Sequence, residues 1–407
     1  MNLTEKEIIY HTDERFNLIK ELCHLSKNLY NASLYDIRQH FFKTKEYRTW
    51  QSQAPLFVKD KNPDFYALPS GLAQEILMQV GRQFIDFFNN KSIRNKRIPR
   101  YKDTDGYNII TFPKAVISKQ VNFDKGAQIY TYTLCKKSYN LKIKSTKPNI
   151  KMVKFVYDEG NDLVKCYKIY EVEEPKLKKD NSRYFSIDPG LNNIVAVYNN
   201  IGIRPFLYNG RPIKSINQYY NKTNARLKSE LPMGIKTSKR LKRLSLKRAS
   251  KLDYEMNKIS SHIINEAVKN NISKIFIGNN SEWKNGINLG RVNNQNFVNI
   301  PYGQLRNKLE YLCKRNDIVF VKQEESYTSK SSFWDRDDLP VYNADNPKEY
   351  PFSGRRLHRG LYKTASGKTI NADVNGALNI MRKSSVVDMN ILYSRGEVDT
   401  PIRIRIA

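Results

Sequence analysis

The sequence predicts a mixed α/β protein in which a helical region and an antiparallel β region precede a five-stranded α/β domain. Three observations support this prediction. Apolar residues recur at helical spacing over 12–42 and 70–88. Short segments with alternating apolar and polar residues fill 108–173. From 179 onward, strand-like segments alternate with helical ones. A chain of 407 residues is also too long for one ordinary domain, so several regions are expected.

The two helices of the first region have recognisable ends. Thr12 and Asp13 are suitable N-cap residues for the helix over 12–42. The helix over 70–88 begins with a serine, Ser70, that is suited to cap it. The segment between them, "SQAPLFVKDKNPDFYALPSG", is rich in proline and turn residues and is interpreted as a linker.

The next region contains the segments "IYTYTLC", "YNLKIKS", "MVKFVYD" and "KCYKIYEV". Their alternation is typical of antiparallel strands in a small sheet or barrel. Lysines on the polar faces of such strands suit contact with a nucleic-acid backbone. They equally suit the protection of strand edges, and the pattern does not decide between the two roles.

The last large region has the element order of an RNase H-like fold. Three closely spaced strands, "RYFSIDP", "NIVAVYN" and "IRPFLYN", precede a long helical region over 213–270. The strand "SKIFIGN", the helix "PYGQLRNKLEYLCKR", the strand "DIVFVKQ" and a helix over 373–383 follow. In such a mixed sheet, strands one, four and five are neighbours and the first lies in the middle. Ligands and metals collect at the carboxyl ends of its parallel strands.

Two aspartates occupy positions where this fold builds a two-metal site. Asp188 closes the first strand and Asp373 begins the last helix. Taken alone, Asp188 suits a turn and Asp373 suits an N-cap. Together they suit two Mg²⁺ ions roughly 4 Å apart, which activate water and stabilise the leaving oxygen during phosphodiester hydrolysis. Two carboxylates alone would bind such ions poorly, so a third acid is required.

The usual position for the third acid, at the end of the fourth strand, is Gly278. The fifth strand, however, ends in the two acids Glu324 and Glu325. Side chains alternate in direction along a strand, and the pattern places Glu325 on the face of Val319 and Val321. We therefore predict Glu325 as the third metal ligand and catalytic carboxylate, and Glu324 as a surface residue.

The charge of the chain predicts a polyanionic partner. Lys and Arg total 70 against 40 Asp and Glu, a net charge of +30. Such an excess, when clustered, favours nucleic-acid binding over a merely soluble basic protein. The clusters are 91–102, the helix segment 236–251 and the segment 355–359. The predicted contacts are Lys91, Arg94, Lys96, Arg97, Arg100, Lys102, Lys236, Lys239, Arg240, Lys242, Arg243, Lys247, Arg248, Arg355, Arg356 and Arg359.

Other classes are disfavoured. The four cysteines, at 23, 135, 166 and 313, lie far apart and form no C-x-x-C pair, which argues against a disulfide framework and a cysteine-rich zinc ribbon. No apolar run is long enough to cross a membrane, and the first residues do not resemble a signal peptide. We expect a protein located in the prokaryotic cytoplasm, next to the nucleoid.

These residues resemble the transposon-encoded TnpB family, the ancestors of the type V CRISPR effectors. "SIDPGLNNIVAVY" is similar to the first RuvC motif of the family and "ADVNGALNI" to the third. "LPSGLAQEIL" and "IPRYK" resemble its recognition helices and the entry to its wedge domain. "IFIGNNSEWK", "NLGRVNNQNFVNIPYGQLRNKLEYLC" and "EESYTSKSSFWD" resemble a branch with a relocated second RuvC acid, which again points to Glu325. Two features depart from the family pattern. The zinc-ribbon cysteines are absent, so no zinc is expected, and Ala372 replaces an arginine that is common before the aspartate of the third motif.

The resemblance implies an RNA-guided DNA endonuclease. Its partners would be a guide RNA of the omega type and target double-stranded DNA, with the protein reading a short flanking motif, and its cofactor would be Mg²⁺. We expect a monomer with one RNA. The implied regions are a first wedge strand (1–11), a helical recognition domain (12–97), a wedge β-barrel domain (98–178), a RuvC-like nuclease domain (179–327), a nucleic-acid-binding insertion (328–370), the last nuclease helix (371–383) and a tail (384–407), for which flexibility is the default expectation.

Two other functions are compatible with parts of the sequence. A nuclease-dead RNA-guided repressor would have lost its acids, as Gly278 alone suggests. A transposase or integrase on the same fold would cut without a guide, but the helical and wedge-like first half argues against it. A plain structural RNA-binding protein has no use for three converging carboxylates.

Overall fold

The computed structural model describes residues 1–90, 97–124, 127–175, 177, 179–279, 300–343, 346, 348–358, 360–394 and 400–405. The chain forms two compact units, unit 1 over Met1–Glu173 and unit 2 over Glu174–Ala407. No helix among the described residues is long and apolar enough to span a membrane.

Unit 1 combines helices with two antiparallel sheets. One sheet has the strand order β1-β7-β6-β2 and the other β3-β4-β5. The elements are β1 (Asn2–Tyr10), α1 (Phe16–Thr44), α2 (Trp50–Lys59), α3 (Pro63–Tyr66), α4 (Ser70–Asn89), β2 (Ile110–Pro113), a 3₁₀ turn (Lys114–Val116), β3 (Ile117–Asp124), β4 (Ala127–Leu134), β5 (Leu141–Ser145), β6 (Ile150–Asp158) and β7 (Leu163–Glu171). The predicted antiparallel strands are therefore present, while closure of the sheets into a barrel stays a prediction.

The helix boundaries of unit 1 correct three expectations. Helix α1 begins at Phe16 and its N-cap is Arg15, because Asp13 accepts hydrogen bonds from the Arg15 backbone and guanidinium instead of capping the helix. The N-cap of α4 is Pro69, one residue before the predicted cap. The predicted linker contains α2 and α3. Burial of apolar and amide side chains from these short helices outweighs the turn-forming composition of the segment.

Unit 2 is built on a six-stranded mixed sheet. Its elements are β8 (Tyr184–Pro189), β9 (Asn193–Asn199), β10 (Phe206–Asn209), α5 (Arg211–Ser229), α6 (Lys239–Lys269), β11 (Lys274–Asn279), α7 (Tyr302–Arg315), β12 (Val319–Glu324), β13 (Arg355–His358), β14 (Leu361–Lys363), β15 (Thr369–Asn371), α8 (Ala372–Lys383), α9 (Met389–Ser394) and β16 (Ile402–Ile404). The main sheet has the order β12-β11-β8-β9-β10-β16. Strands β8, β11 and β12 are thus parallel neighbours, as the element order predicts.

The last strand of this sheet lies in the region for which flexibility was the default expectation. Strand β16 pairs in parallel with β10, and the Ile402 amide donates to the Pro205 carbonyl over 2.8 Å. Helix α9 also contributes the fully buried Leu392. The sequence left the order of this tail undecided, because its few apolar side chains show no period. In the structure, Ile402–Ile404 complete an edge that other strands have already formed.

Helices cover both faces of the main sheet. On one face, apolar side chains of β8–β11 pack with those of α6 and α7, including Met256, Ile263 and Leu309. On the other face, α8 and α9 pack against Tyr184, Ala196 and Phe276. Burial on both faces explains why β8 and β9 are nearly continuous apolar runs rather than alternating ones. It also brings α8 across the strand that ends in Asp188.

The insertion between β12 and α8 contains a small antiparallel sheet, β13-β14-β15. Ser331 and Ser332 are fully buried at its base. The Asp337 carboxylate accepts hydrogen bonds from the backbone amides of Ser332, over 2.8 Å, and Ser353, over 3.0 Å. Backbone hydrogen bonds to one carboxylate therefore join two segments where the family resemblance would place a zinc ribbon.

Candidate active site: carboxylates at the strand ends

Asp188 lies at the carboxyl end of the central strand. Strand β8 pairs with β11 up to Ile187 opposite Ile277, so Asp188 and Gly278 occupy adjacent strand positions. Burial, together with the charges of Glu325 and Asp373, raises the pKa of Asp188 well above its usual value, and the charge of Arg356 opposes this effect. The charges of both other predicted acids therefore act on this carboxylate.

Asp373 is the second residue of α8. The N-cap is Asn371, whose side chain accepts hydrogen bonds from the amides of Asp373 and Val374. The Asp373 carboxylate is thus not needed for capping. It accepts a 2.7 Å hydrogen bond from the Asn193 side chain and a 3.1 Å ion-paired hydrogen bond from Arg356.

Glu325 follows β12 directly, one strand further from Asp188. Strand β12 pairs in parallel with β11, and Gln323 lies opposite Gly278. The Glu325 carboxylate passes over Gly278: a Cβ added at that glycine would overlap Oε2 of Glu325. A side chain at 278 would therefore block the space through which Glu325 reaches toward Asp188. The glycine at 278 and the path of the Glu325 side chain are therefore parts of one geometric arrangement.

A second glycine, on helix α8, also leaves space for a carboxylate. Gly376 lies one turn after Asp373 on α8, and a Cβ added there would overlap the Asp188 carboxylate. The close approach of α8 to β8 is also marked by a 2.7 Å hydrogen bond from the Ser186 hydroxyl to the Ala377 carbonyl. The small residues of "NGAL" therefore bring the helix carrying Asp373 down onto the strand carrying Asp188.

The two adjacent glutamates have different environments. Burial raises the pKa of Glu325 to about 7; Glu324 adds to this, and the charges of Arg306 and Lys383 oppose it. Burial would also raise the pKa of Glu324, but hydrogen bonds from Lys383 and Ser326 lower it below its usual value. Glu324 forms an ion pair with Lys383, which also donates to the Ser326 carbonyl over 2.9 Å. Glu324 is thus a partly exposed anion that is ion-paired within the protein, with 39% of its side-chain surface exposed.

Two buried asparagines of α8 hold the segment after Glu325. Asn375 donates to the Ser331 carbonyl and accepts from the Phe333 amide, while Asn379 donates to the carbonyls of Thr328 and Ser331. Thr328 in turn donates from its hydroxyl to the Glu325 carbonyl over 2.9 Å. These contacts explain the asparagines of "NADVNGALNI": they attach the chain that follows Glu325 to the helix that carries Asp373.

Sequence reasoning missed several residues around the carboxylates. Asn193 binds Asp373, and Arg306 acts electrostatically on Glu325. The Tyr302 hydroxyl donates to the Gly190 carbonyl over 2.5 Å; burial first, and then the charges of the three acids, raise its pKa. Asn193 follows Asp188 within the same motif, and Tyr302 and Arg306 lie in a segment that resembles a branch of the family. Neither pattern indicates that these side chains lie near the acids.

The donor chemistry fits a divalent cation. Among the described residues, no hydrogen bond reaches the side chain of Asp188 or Glu325, and both carboxylates have raised pKa values. A hard cation would relieve this concentration of negative charge, and carboxylate oxygens are the ligands that Mg²⁺ prefers. Within the same described residues, no three His, Cys, Asp or Glu side chains are arranged as a complete metal site.

The predicted nucleic-acid contacts divide into three groups. Lys91, Arg94, Lys96 and Arg359 lie outside the described residues. Most of the others are exposed: Arg97, Arg100, Lys236, Lys239, Arg240, Lys242, Arg243, Lys247 and Arg355. Three have defined partners within the protein: Lys102 packs over the Tyr30 ring, Arg248 over the Tyr220 ring, and Arg356 binds Asp373. Arg356 therefore lies at the carboxylate site rather than on an open face.

The chain is similar to known proteins over the segments that contain the three acids. Residues 167–284 match the OrfB_IS605 family model, described as a probable transposase, and residues 302–380 match the Cas12f1-like TNB domain model. Asp188 falls in the first segment, and Glu325 and Asp373 fall in the second.

Two relatives illustrate the similarity. The TnpB-like protein ORF457 of Acidianus two-tailed virus is 24% identical over 234 residues, which are 55% of this chain and 46% of that protein. The chain thus spans about half the length of this curated relative. A cryo-EM structure of a Cas12f1–sgRNA–target DNA complex superposes with a TM-score of 0.59 at 15% identity, covering 90% of this chain and 82% of that one. At this identity the likeness establishes the fold.

Proposed function

The chain belongs to the TnpB family, and from this premise we propose that it is an RNA-guided DNA endonuclease encoded by a transposon. In this proposal it binds a noncoding guide RNA and cleaves target double-stranded DNA beside a short flanking motif, as a monomer with one RNA. Base pairing with the guide would select the target, and the protein would hold the heteroduplex by its backbone. The net charge of +30 supports such a partner.

The observation that carries the nuclease part is the path of Glu325 across Gly278 toward Asp188. A chain that had merely lost its second acid would leave Asp188 without an acidic neighbour on this side. Here the glycine provides the space that an acid from the next strand uses. Burial of two carboxylates close together is costly for stability, so their retention is better explained by a bound cation than by folding.

Asp188, Glu325 and Asp373 would hold Mg²⁺ in this site. When bound, divalent cations would supply an activated water for in-line attack and stabilise the leaving oxygen of the phosphodiester. Asn193 would orient the Asp373 carboxylate by its 2.7 Å hydrogen bond. Arg356, which contacts the same carboxylate and is partly exposed, is placed to contact a phosphate oxygen of the substrate.

The first experiment is a cleavage assay on the purified protein–RNA complex with guide-matched duplex DNA, with Mg²⁺ or with EDTA. We expect Mg²⁺-dependent cutting by the wild type and none by Asp188→Asn, while target affinity stays within about twofold. Binding of the target without cutting by the wild type would instead identify a nuclease-dead repressor. Cutting that needs no RNA would identify a transposase-like enzyme and contradict the proposal.

A further inference from the structure

A groove of about 270 Å³ lies between helices α5 and α6, well separated in sequence from the three acids. Its chemistry is mixed: tyrosines from α5 and cations from α6 face each other. The residues that matter are Ser215, Tyr219, Tyr220, Lys247, Arg248 and Lys251. No acidic residue lines it. The segment 236–251 was predicted to contact nucleic acid through its basic residues alone, so the tyrosines add a feature that the charge pattern does not contain.

One side of the groove is held in place by internal contacts. The Arg248 guanidinium lies 4.7 Å from the centre of the Tyr220 ring, and its Nε donates to the Asn217 side chain over 2.8 Å. Asn217 is buried within α5. The positions of Arg248 and Tyr220 are therefore set before any ligand binds, which lowers the entropy lost on binding.

The other side of the groove is open. Tyr219 keeps 61% of its surface exposed, an unusual amount for a large aromatic side chain that lines a groove. Lys247 and Lys251 are exposed and lie one turn apart on α6. A flat aromatic face beside two exposed cations is suited to a ligand that is planar in one part and anionic in the next.

A neighbouring cavity provides a contrast. It has a volume of about 490 Å³, shares Ser215, and is lined by Arg211 and Arg405 together with Glu255. The glutamate makes that cavity less favourable for an anion. Of these two cavities, only the 270 Å³ groove combines cationic side chains, an exposed tyrosine and a lining without acidic residues.

We propose that the groove binds one unpaired nucleotide of the bound RNA, with its base stacked on Tyr219 and its flanking phosphates near Lys247 and Lys251. The volume is below the roughly 300–1,000 Å³ of pockets for drug-sized ligands, which suits a single base. Bases within a duplex are stacked on one another, whereas splayed-out single-stranded bases stack on aromatic side chains. The proposal rests on the proposed function for the presence of an RNA, but not on cleavage.

The test is fluorescence anisotropy with the full chain and labelled probes: single-stranded oligo(U) RNA, oligo(dT) DNA of the same length, and an RNA duplex. We expect Tyr219→Ala to weaken oligo(U) binding at least about fivefold, which is the lower end of what one stacked base contributes, and to change duplex binding less than about twofold. Tyr219→Phe should bind oligo(U) like the wild type. The expected loss is specific to the unpaired strand.

The matched control is Tyr254→Ala. Tyr254 is 58% exposed on α6 with Lys258 over its ring, so it shares residue type, exposure and a cationic neighbour, but it does not line the groove. Its substitution should leave all three affinities unchanged. Equal losses for Tyr219→Ala and Tyr254→Ala, equal losses for duplex and single strand, or no loss at all would overturn the proposal. Tighter binding of oligo(dT) than oligo(U) through Tyr219 would overturn its assignment to RNA.

Failure of this inference and failure of the nuclease proposal give different results. If the wild type cuts DNA but Tyr219→Ala binds oligo(U) normally, only the groove proposal fails. If no variant cuts but the Tyr219→Ala loss is present and selective, only the nuclease proposal fails.

Discussion

Each unit of the protein contains a cluster of partly buried charges, and the two clusters differ in their cations. In unit 1, Lys168 is almost fully buried and lies 2.8 Å from both Glu5 and Glu7. Arg15 adds ion pairs of 2.7 Å to Glu7 and 2.6 Å to Asp13. Every carboxylate of this cluster thus has a cation from the same unit.

The cluster of unit 2 is compensated only in part. Asp373 has Arg356, and the charges of Arg306, Lys383 and Arg356 act on the other two acids, but among the described residues no ion pair or hydrogen bond reaches the side chain of Asp188 or Glu325. A carboxylate that is directly paired with an internal cation stabilises the fold it belongs to. Carboxylates without a direct partner store unfavourable charge that an external cation can relieve. The difference separates a structural charge cluster from a candidate catalytic one, and four predictions test it.

The largest effect is expected from Glu325→Gln, which should reduce cleavage more than about 100-fold. Loss of even an outer partner of a metal ligand costs about 10- to 100-fold, and Glu325 is proposed as a direct ligand. The measurement is single-turnover DNA cleavage by the RNA complex in saturating Mg²⁺. Glu324→Gln is the control, because Glu324 is paired with Lys383. If both variants cut equally well, the two glutamates do not differ as the structure indicates.

Lys168→Met should destabilise unit 1 by about 2–3 kcal/mol, because removal of one partner leaves charges uncompensated in a buried environment. This is below the largest values for buried pairs, since Glu5 and Glu7 keep 29% and 28% of their side-chain surface exposed. Urea unfolding monitored by circular dichroism measures the change. Lys151→Met, which removes an exposed ion pair to Glu171, should have no measurable effect. A similar loss for both variants would mean that burial does not distinguish them.

Gly278→Ala should reduce cleavage about tenfold or more without a large loss of stability, because the new methyl group occupies the space of the Glu325 carboxylate and displaces it. Gly303→Ala is the matched control. Gly303 is the second residue of α7 in the same unit, but a Cβ added there has no neighbour within 4 Å. Normal cleavage by Gly278→Ala would show that Glu325 does not need this path.

The smallest effect is expected from pH, which should change the stability contributions of the two clusters in opposite directions. For Glu7, burial raises the pKa, but Lys168 and Arg15 lower it below its usual value of 4.5. Its contribution is therefore present above pH 4.5 and lost as the pH falls through the lower folded pKa. Glu325 has a folded pKa of about 7 against 4.5. Its environment favours the protonated form, so stability falls as the pH rises from 4.5 through 7.

Unfolding free energies measured in EDTA from pH 3 to 8 check both signs. The difference between wild type and Glu325→Gln should grow with rising pH, with the variant the more stable at pH 8, and Mg²⁺ should reduce that difference. The difference between wild type and Glu7→Gln should shrink as the pH falls below 4.5. Parallel pH profiles for the two variants would contradict the comparison.

Much of unit 2 could be predicted from the sequence because its signals are local. Continuous apolar runs mark strands covered on both faces, and the strand order follows from the order of elements. Asp188 and Asp373 stand at a strand end and a helix start, positions that the sequence displays directly. The expectation for Glu325 rested on side-chain alternation along β12 and on the family resemblance.

Tertiary structure alone decided the remaining features. Helices α2 and α3 form in a segment with linker-like composition because side chains such as Phe57 and Phe65 are buried against neighbouring elements. Strand β16 exists because β10 offers an edge to pair with. Neither effect leaves a local period in the sequence.

In the carboxylate site, too, some features follow from the local sequence and others only from tertiary packing. The sequence by itself determined which acids stand at the ends of β8, β12 and the start of α8, since those positions depend on local secondary structure. Only the tertiary structure decided that Gly278 leaves space for Glu325, that Gly376 leaves space for Asp188, and that Lys383 pairs with Glu324. These contacts join residues 47 to 188 positions apart, and the packing that selects them arises only when the sheet and α8 assemble.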